Sequence, residues 1–132
     1  MTVDFNTSNP IYMQLAERIN RQIIRRELTA GEKLPSVREM ALNSGVNPNT
    51  VQRTYSELER MGIVETRRGQ GTFVTENEQV LINLREKLKY EQITRFINDM
   101  KEMGFSPEEM IAGLSKHFTK EDGEGGADND RN

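Results

Sequence analysis

Cysteine and tryptophan are absent from the 132 residues, and histidine occurs once, as His117. Without cysteine there is no disulfide staple of the kind that holds small secreted domains together, no thiol nucleophile and no Cys/His zinc site. A serine–histidine triad would have to be built on His117, which lies beside a polar tail. Paired carboxylates fare no better. Glu108 and Glu109 are adjacent at a helix start, where they complement the positive end of the helix dipole. No apolar run approaches the roughly 20 residues that span a bilayer. The opening MTVDFNTSNP has neither the basic start nor the apolar stretch of a signal peptide. These absences predict a soluble, cytoplasmic chain that is not an enzyme, with no metal site and no cofactor. Its length suits one small domain and an appendage.

Charge is unevenly spread. Residues 1–75 carry 10 Lys+Arg against 8 Asp+Glu, and residues 76–132 carry 8 against 13, so a half at +2 precedes one at −5. An acidic half facing away from an anionic partner has this distribution, and so does a surface charged only for solubility. The first half is hardly basic, so nucleic-acid binding must rest on where its cations sit.

Behind Pro10, residues Ile11, Leu15, Ile19 and Ile23 form an i,i+4 ladder. The ladder predicts an amphipathic helix ending near Leu28, before Ala30-Gly31. Lys33-Leu34-Pro35 reads as a connector to Ser36-Val37-Arg38-Glu39, a capping box that starts a short helix stopped by Gly45. Asn47 then caps a third helix with Pro48 at its first position and a Val46–Val51 staple across the cap. That helix places Val51, Tyr55, Leu58 and Met61 on one face and stops at Gly62. Both short helices need the first to pack on. Residues 63–67 and 72–75 are β-branched and aromatic runs around Arg68-Gly69-Gln70-Gly71, which predicts a hairpin. From Gln79 helical periodicity returns until Gly104, and Ser106-Pro107-Glu108-Glu109 opens another helix. From Glu121 on nothing can form a core, which predicts a disordered acidic tail over 120–132.

This order is that of a winged helix-turn-helix: a mainly α fold with one small hairpin. Ala41 lets the second helix of the pair approach, Gly45 supplies the turn, and Val51 plugs the two together. In such a module the start of the second helix of the pair enters the major groove of duplex DNA. Asn49, Thr50, Gln52, Arg53 and Ser56 lie outside there, and Asn, Gln and Arg side chains bond base edges in pairs. The bland alternative for each is a solvated helix face. Ser36 and Asn47 flank helix-start amides that suit phosphates, and Arg38 is placed for a phosphate unless it pairs with Glu39 or Glu32. At the hairpin tip, Arg67, Arg68, Gly69 and Gln70 offer cations and a close backbone approach. Gly69-Gln70-Gly71 lies between strands rather than before a helix, so it is not a nucleotide loop.

The phrases PIYMQLAERI, AGEKLPSVREMA and VNPNTVQRTYSELERMGIVETRRGQGTFV resemble the DNA-binding domain of GntR-family transcription regulators over Asn9 to Glu76. The resemblance implies that Arg38 binds phosphate, that Thr50 contacts DNA from the recognition helix and that Gly69 lies at the wing tip. Pro48 and Gln52 depart from arginines found there in other branches, so base preferences do not transfer. The short C-terminal part is similar to that of the YtrA subfamily, which implies two helices that chiefly build a dimer and control of a transporter operon.

The expected organisation is a DNA-binding domain at 9–77, a helical dimerisation region at 78–119 and the tail. Leu81, Leu84, Leu88, Phe96, Ile97, Met100, Met103, Ile111, Leu114 and Phe118 exceed what two isolated helices bury. Two-fold pairing of chains would cover them, and so would packing on the chain's own winged domain. The leading expectation is a homodimeric repressor on a palindromic operator in double-stranded DNA. A winged-helix module for protein contacts is the competing one. The residues do not decide whether a small-molecule effector binds.

Overall fold

The structure, a computed structural model, describes the backbone of residues 8–129 and side chains as far as Glu121. Its elements follow as α1 (Ile11–Ile24), α2 (Val37–Ser44), α3 (Pro48–Arg60), β1 (Val64–Arg67), β2 (Gly71–Val74), α4 (Glu78–Glu102) and α5 (Pro107–Asn129). This is the expected mainly helical fold with one antiparallel hairpin, paired from Val64↔Val74 to Arg67↔Gly71.

Two compact units divide the chain, the first up to Lys87 and the second from Leu88 on. The division falls within α4. The first turns of that helix are held in the first unit, where Arg85 Nη1 donates to Ile24 O at 3.1 Å and Leu84 is buried. Asn77 caps α4, accepting from Gln79 N at 3.0 Å.

The ladder of α1 buries Leu15, Ile19 and Ile23, while its first rung, Ile11, stays exposed. The helix ends a turn earlier than expected. Arg26 takes a left-handed φ of 66°. Its N–H donates to Ile23 O at 3.0 Å, and Glu27 N–H donates to Gln22 O at 2.8 Å. Those two bonds close a Schellman turn on a residue other than glycine, at a cost of about 1 kcal/mol. Gly31, where the sequence suggested the stop, serves the sheet instead. Gly31 N–H donates to Val74 O at 2.9 Å, Val74 N–H to Glu32 O at 2.8 Å and Leu34 N–H to Thr72 O at 2.8 Å. Lys33 pairs with Phe73 in an antiparallel bridge. The supposed connector is therefore a third strand stub along β2, and Leu34 enters the core.

Both caps of the helix pair form as read. Ser36 Oγ accepts from Glu39 N at 3.1 Å while Glu39 Oε1 accepts from Ser36 N at 2.9 Å. Asn47 Oδ1 accepts from Asn49 N at 2.7 Å. Between them Gly45 sits at φ 70°, left-handed backbone that a side chain would strain. Helix α3 buries Val51, Thr54, Tyr55 and Leu58, with α1 on one side and α2 on the other. The expectation that both short helices rest on α1 is thus corrected for α2, which packs chiefly on α3 because buried Ala41 leaves room there.

In the second unit, a capping box starts α5: Ser106 N donates to Glu109 Oε1 at 3.0 Å and Ser106 Oγ accepts from Glu109 N at 3.2 Å. Met110 is buried. The helix continues to Asn129. Residues 130–132 of the acidic tail lie outside the described residues, as do residues 1–7, where a leader was sought.

Two outcomes follow from these features. Arg26→Gly relieves the left-handed strain and should raise unfolding free energy by about 0.5–1 kcal/mol; a loss of stability in urea titration would show that the Arg26 side chain outweighs it. The second concerns Tyr55, whose hydroxyl donates to Pro35 O at 2.7 Å. Burial pushes its phenol well above the usual tyrosine value, with Glu39 adding to the effect. The folded state holds the phenolic proton more tightly than the unfolded one. Its contribution is therefore complete below about pH 10 and is lost as pH rises further. Tyr55→Phe should cost about 1 kcal/mol at neutral pH and give a shallower loss of stability above pH 10; equal alkaline slopes for both proteins would refute the assignment.

Candidate nucleic-acid interface

The starts of α2 and α3 carry most of the residues singled out from the sequence. At α2, the capping box uses the Ser36 hydroxyl as an acceptor and leaves its proton to donate outward. Arg38 is exposed and forms no ion pair among the described residues. Glu39 is committed to the capping box, and Glu32 accepts from Thr29 N at 2.8 Å. The two carboxylates considered as partners for Arg38 are thus engaged elsewhere.

At α3, Asn47, Asn49, Gln52, Arg53 and Ser56 are exposed, whereas Thr50 is half-buried. The inner face is clamped by Thr54, fully buried, whose Oγ1 lies 3.1 Å from Tyr12 O and 3.0 Å from Thr50 O. One hydroxyl proton is shared between these two carbonyls. Beside it, the Arg53 guanidinium stacks over the Tyr12 ring with its central carbon 3.9 Å from the ring centroid. Neither Tyr12 nor Thr54 was legible in the sequence as part of this site, because each acts through a partner about forty residues away. Farther along, Arg60 Nε donates to Glu57 Oε1 at 3.2 Å. That pairing holds the Glu57 carboxyl below, and the Arg60 guanidinium above, their ordinary values.

The wing turns through Arg68-Gly69-Gln70, closed by Gln70 N donating to Arg67 O at 2.9 Å. Arg68, Gly69 and Gln70 are exposed. Arg67 behaves differently from the expectation of a free tip cation: its guanidinium lies 4.2 Å over the Phe73 ring and 3.9 Å from Glu65. The hairpin register makes the reason plain, since the Glu65–Phe73 pair lies two positions from Arg67, on the same face of the hairpin. Gly71 takes φ 124°, and a Cβ there would meet Lys33 Cε at 2.7 Å. Lys33 therefore lies beside the wing as an additional cation, brought there by the strand stub.

The apolar residues expected at an interface separate by burial. Leu84 is covered by its own chain, at 5% exposure. Leu81, Leu88, Phe96, Ile97 and Met100 are half-buried. Met103, Ile111, Leu114 and Phe118 are exposed, and so are Tyr90, Ile93 and Phe105. Within the first unit, Ile23, Ile24, Leu28, Leu81 and Ile82 line an open cleft flanked by Arg26, Glu78 and Arg85. Among the described residues no group of His, Asp and Glu could hold a metal ion. No helix among them is long and apolar enough to cross a membrane.

Residues 11–74, which span α1 through β2, match the family model described as bacterial regulatory proteins, gntR family. The chain is 53% identical over 120 residues to the uncharacterized HTH-type transcriptional regulator YhcF of Bacillus subtilis, covering 91% of this chain and 98% of that protein. It is 36% identical over 129 residues to the HTH-type transcriptional repressor YtrA of the same organism, covering 97% and 98%. A solved GntR family transcriptional regulator from Listeria monocytogenes superposes with a TM-score of 0.80 at 38% identity, covering 85% of this chain and 98% of that one. These relatives are regulators of transcription and not enzymes. With its winged helix-turn-helix matched in sequence and in three dimensions, the chain belongs to the GntR family of bacterial regulatory proteins, in its YtrA-like branch.

Proposed function

We propose that this transcriptional regulator is a cytoplasmic repressor that binds a palindromic operator as a homodimer. One observation carries the reading: α3 is anchored by its buried face and presents Asn49, Gln52 and Arg53 outward from its first turns. Three polar side chains able to bond base edges, on a helix fixed from behind, are what direct readout in a major groove requires. Thr50 would add a contact at the groove edge. Ser36, Arg38 and Asn47 would hold phosphates beside the two helix starts, with the wing residues Arg68, Gly69 and Gln70 on the flanking backbone. Arg67, stacked on Phe73, would contribute charge rather than a direct bond.

The segment 78–119 would supply the dimer. Met103 and Leu114 are exposed and Leu88, Phe96 and Met100 half-buried, apolar side chains that a partner chain would cover. Leu81 would join this set, whereas Leu84 already belongs to the chain's own core. Resemblance to a named repressor, YtrA, supports the sign of regulation, and blocking a promoter would be the means. A transporter operon is the proposed target, on the same resemblance.

Selecting bound duplexes from a random pool and titrating them against salt tests the reading. Arg53→Ala or Thr50→Ala should lose about 1–3 kcal/mol of discrimination between the selected site and a mismatched one. Arg68→Ala should weaken all duplexes alike and lower the salt slope by about 1. Affinity indifferent to salt would instead favour an apolar protein contact. A separate sedimentation experiment addresses the dimer: Leu88→Asp with Phe96→Asp should give monomers with poor operator affinity, and an intact dimer would refute the interface.

A further inference from the structure

Two consecutive residues of α3 grip a single residue of α1. Thr54 Oγ1 reaches the Tyr12 carbonyl at 3.1 Å, and Arg53 lays its guanidinium on the Tyr12 ring at 3.9 Å. Tyr12 is half-buried and stands in the first turn of α1. With its carbonyl tied to α3, its ring is a platform of fixed height beside the outer face of that helix. The competing partner for Arg53 would be Glu57, one helical turn on. That carboxylate is hydrogen-bonded through both oxygens to Arg60 and acts on Arg53 through its charge, without a hydrogen bond that would draw the guanidinium off the ring.

We propose that Tyr12 is a positioning residue for Arg53, holding its guanidinium in the pose that reads a base pair. The proposal rests on the reading of α3 as the groove-facing helix. A guanidinium that stacks on a ring turns its flat face to it and keeps its in-plane N–H donors for the O6 and N7 atoms of a guanine. A free arginine samples many rotamers, and ordering one on binding weakens affinity by about 2- to 12-fold. Tyr12 spares that loss before DNA arrives. Because the gain applies only where Arg53 meets its preferred base, Tyr12 sharpens discrimination without touching the duplex itself.

The test measures affinity of the full-length protein for a selected duplex and for single-base-pair variants of it. Arg53→Ala first identifies the base pair whose preference disappears. At that pair, Tyr12→Leu should reduce discrimination by about 2- to 12-fold, and Tyr12→Phe should restore it. Replacing Tyr12 by pentafluorophenylalanine keeps the size of the ring but reverses its electrostatic face, so it should behave as Leu does while melting as Phe does. In the Arg53→Ala background none of these changes should alter discrimination further. Pentafluorophenylalanine equal to Phe, or a loss that persists without Arg53, overturns the positioning role. If Arg53→Ala leaves every preference intact, the groove-facing reading of Arg53 fails first and the proposal falls with it.

Discussion

The buried face of α3 is the constraint on which the rest of the first unit depends. Val51, Thr54, Tyr55 and Leu58 form the buried face of a helix packed against α1 and α2, and two of them also bond a neighbouring segment. Thr54 ties the start of α1, and the Tyr55 hydroxyl reaches across to Pro35, one residue before the cap of α2. A helix packed on two neighbours and bonded to segments on both sides resists rolling. Its outer side chains therefore keep one orientation, which is the precondition for reading a sequence of base pairs rather than merely attracting a polyanion.

Local signals in the sequence were sufficient for the elements that present the site. The Ser36–Glu39 box, the Asn47–Pro48 start and Gly45 are short-range devices whose bonds close within four residues, so their residue types announce them. The hairpin was equally legible from its β-branched runs around glycine. Whatever required a distant partner was not. The strand stub at 31–34 has no periodicity of its own, and its pairing with β2 exists only once the chain has folded back. Arg26 ends α1 with a residue that locally disfavours the left-handed turn, so tertiary packing overrides a propensity that pointed to Gly31. Thr54 lies on a helix face whose burial is decided by α1, and a threonine there reads as solvated until that neighbour is in place.

Cations at the candidate interface differ in what they are free to do. Arg67 and Arg53 both lie on aromatic rings, yet with opposite consequences. Arg67 is drawn back along its own hairpin by Phe73 and Glu65, and so stiffens the wing. Arg53 is steadied by a ring on a different helix and keeps its edge outward. Arg38 and Arg68, with no ring and no ion pair among the described residues, act as plain charges. Counting net charge in this half could not reveal such a division of labour, because it arises from the flat geometry of guanidinium groups against particular neighbours.

The stub that runs beside β2 has a mechanical meaning. Its three backbone bonds join the wing to the same stretch of chain that delivers Ser36, so the tip of the hairpin and the head of α2 are set on one hydrogen-bonded frame. A frame of that kind works as a fixed gauge and not as a pair of jaws. On such a gauge, the work of fitting a poorly spaced duplex would fall on the DNA, and stiffness of its base-pair steps would become part of the selection.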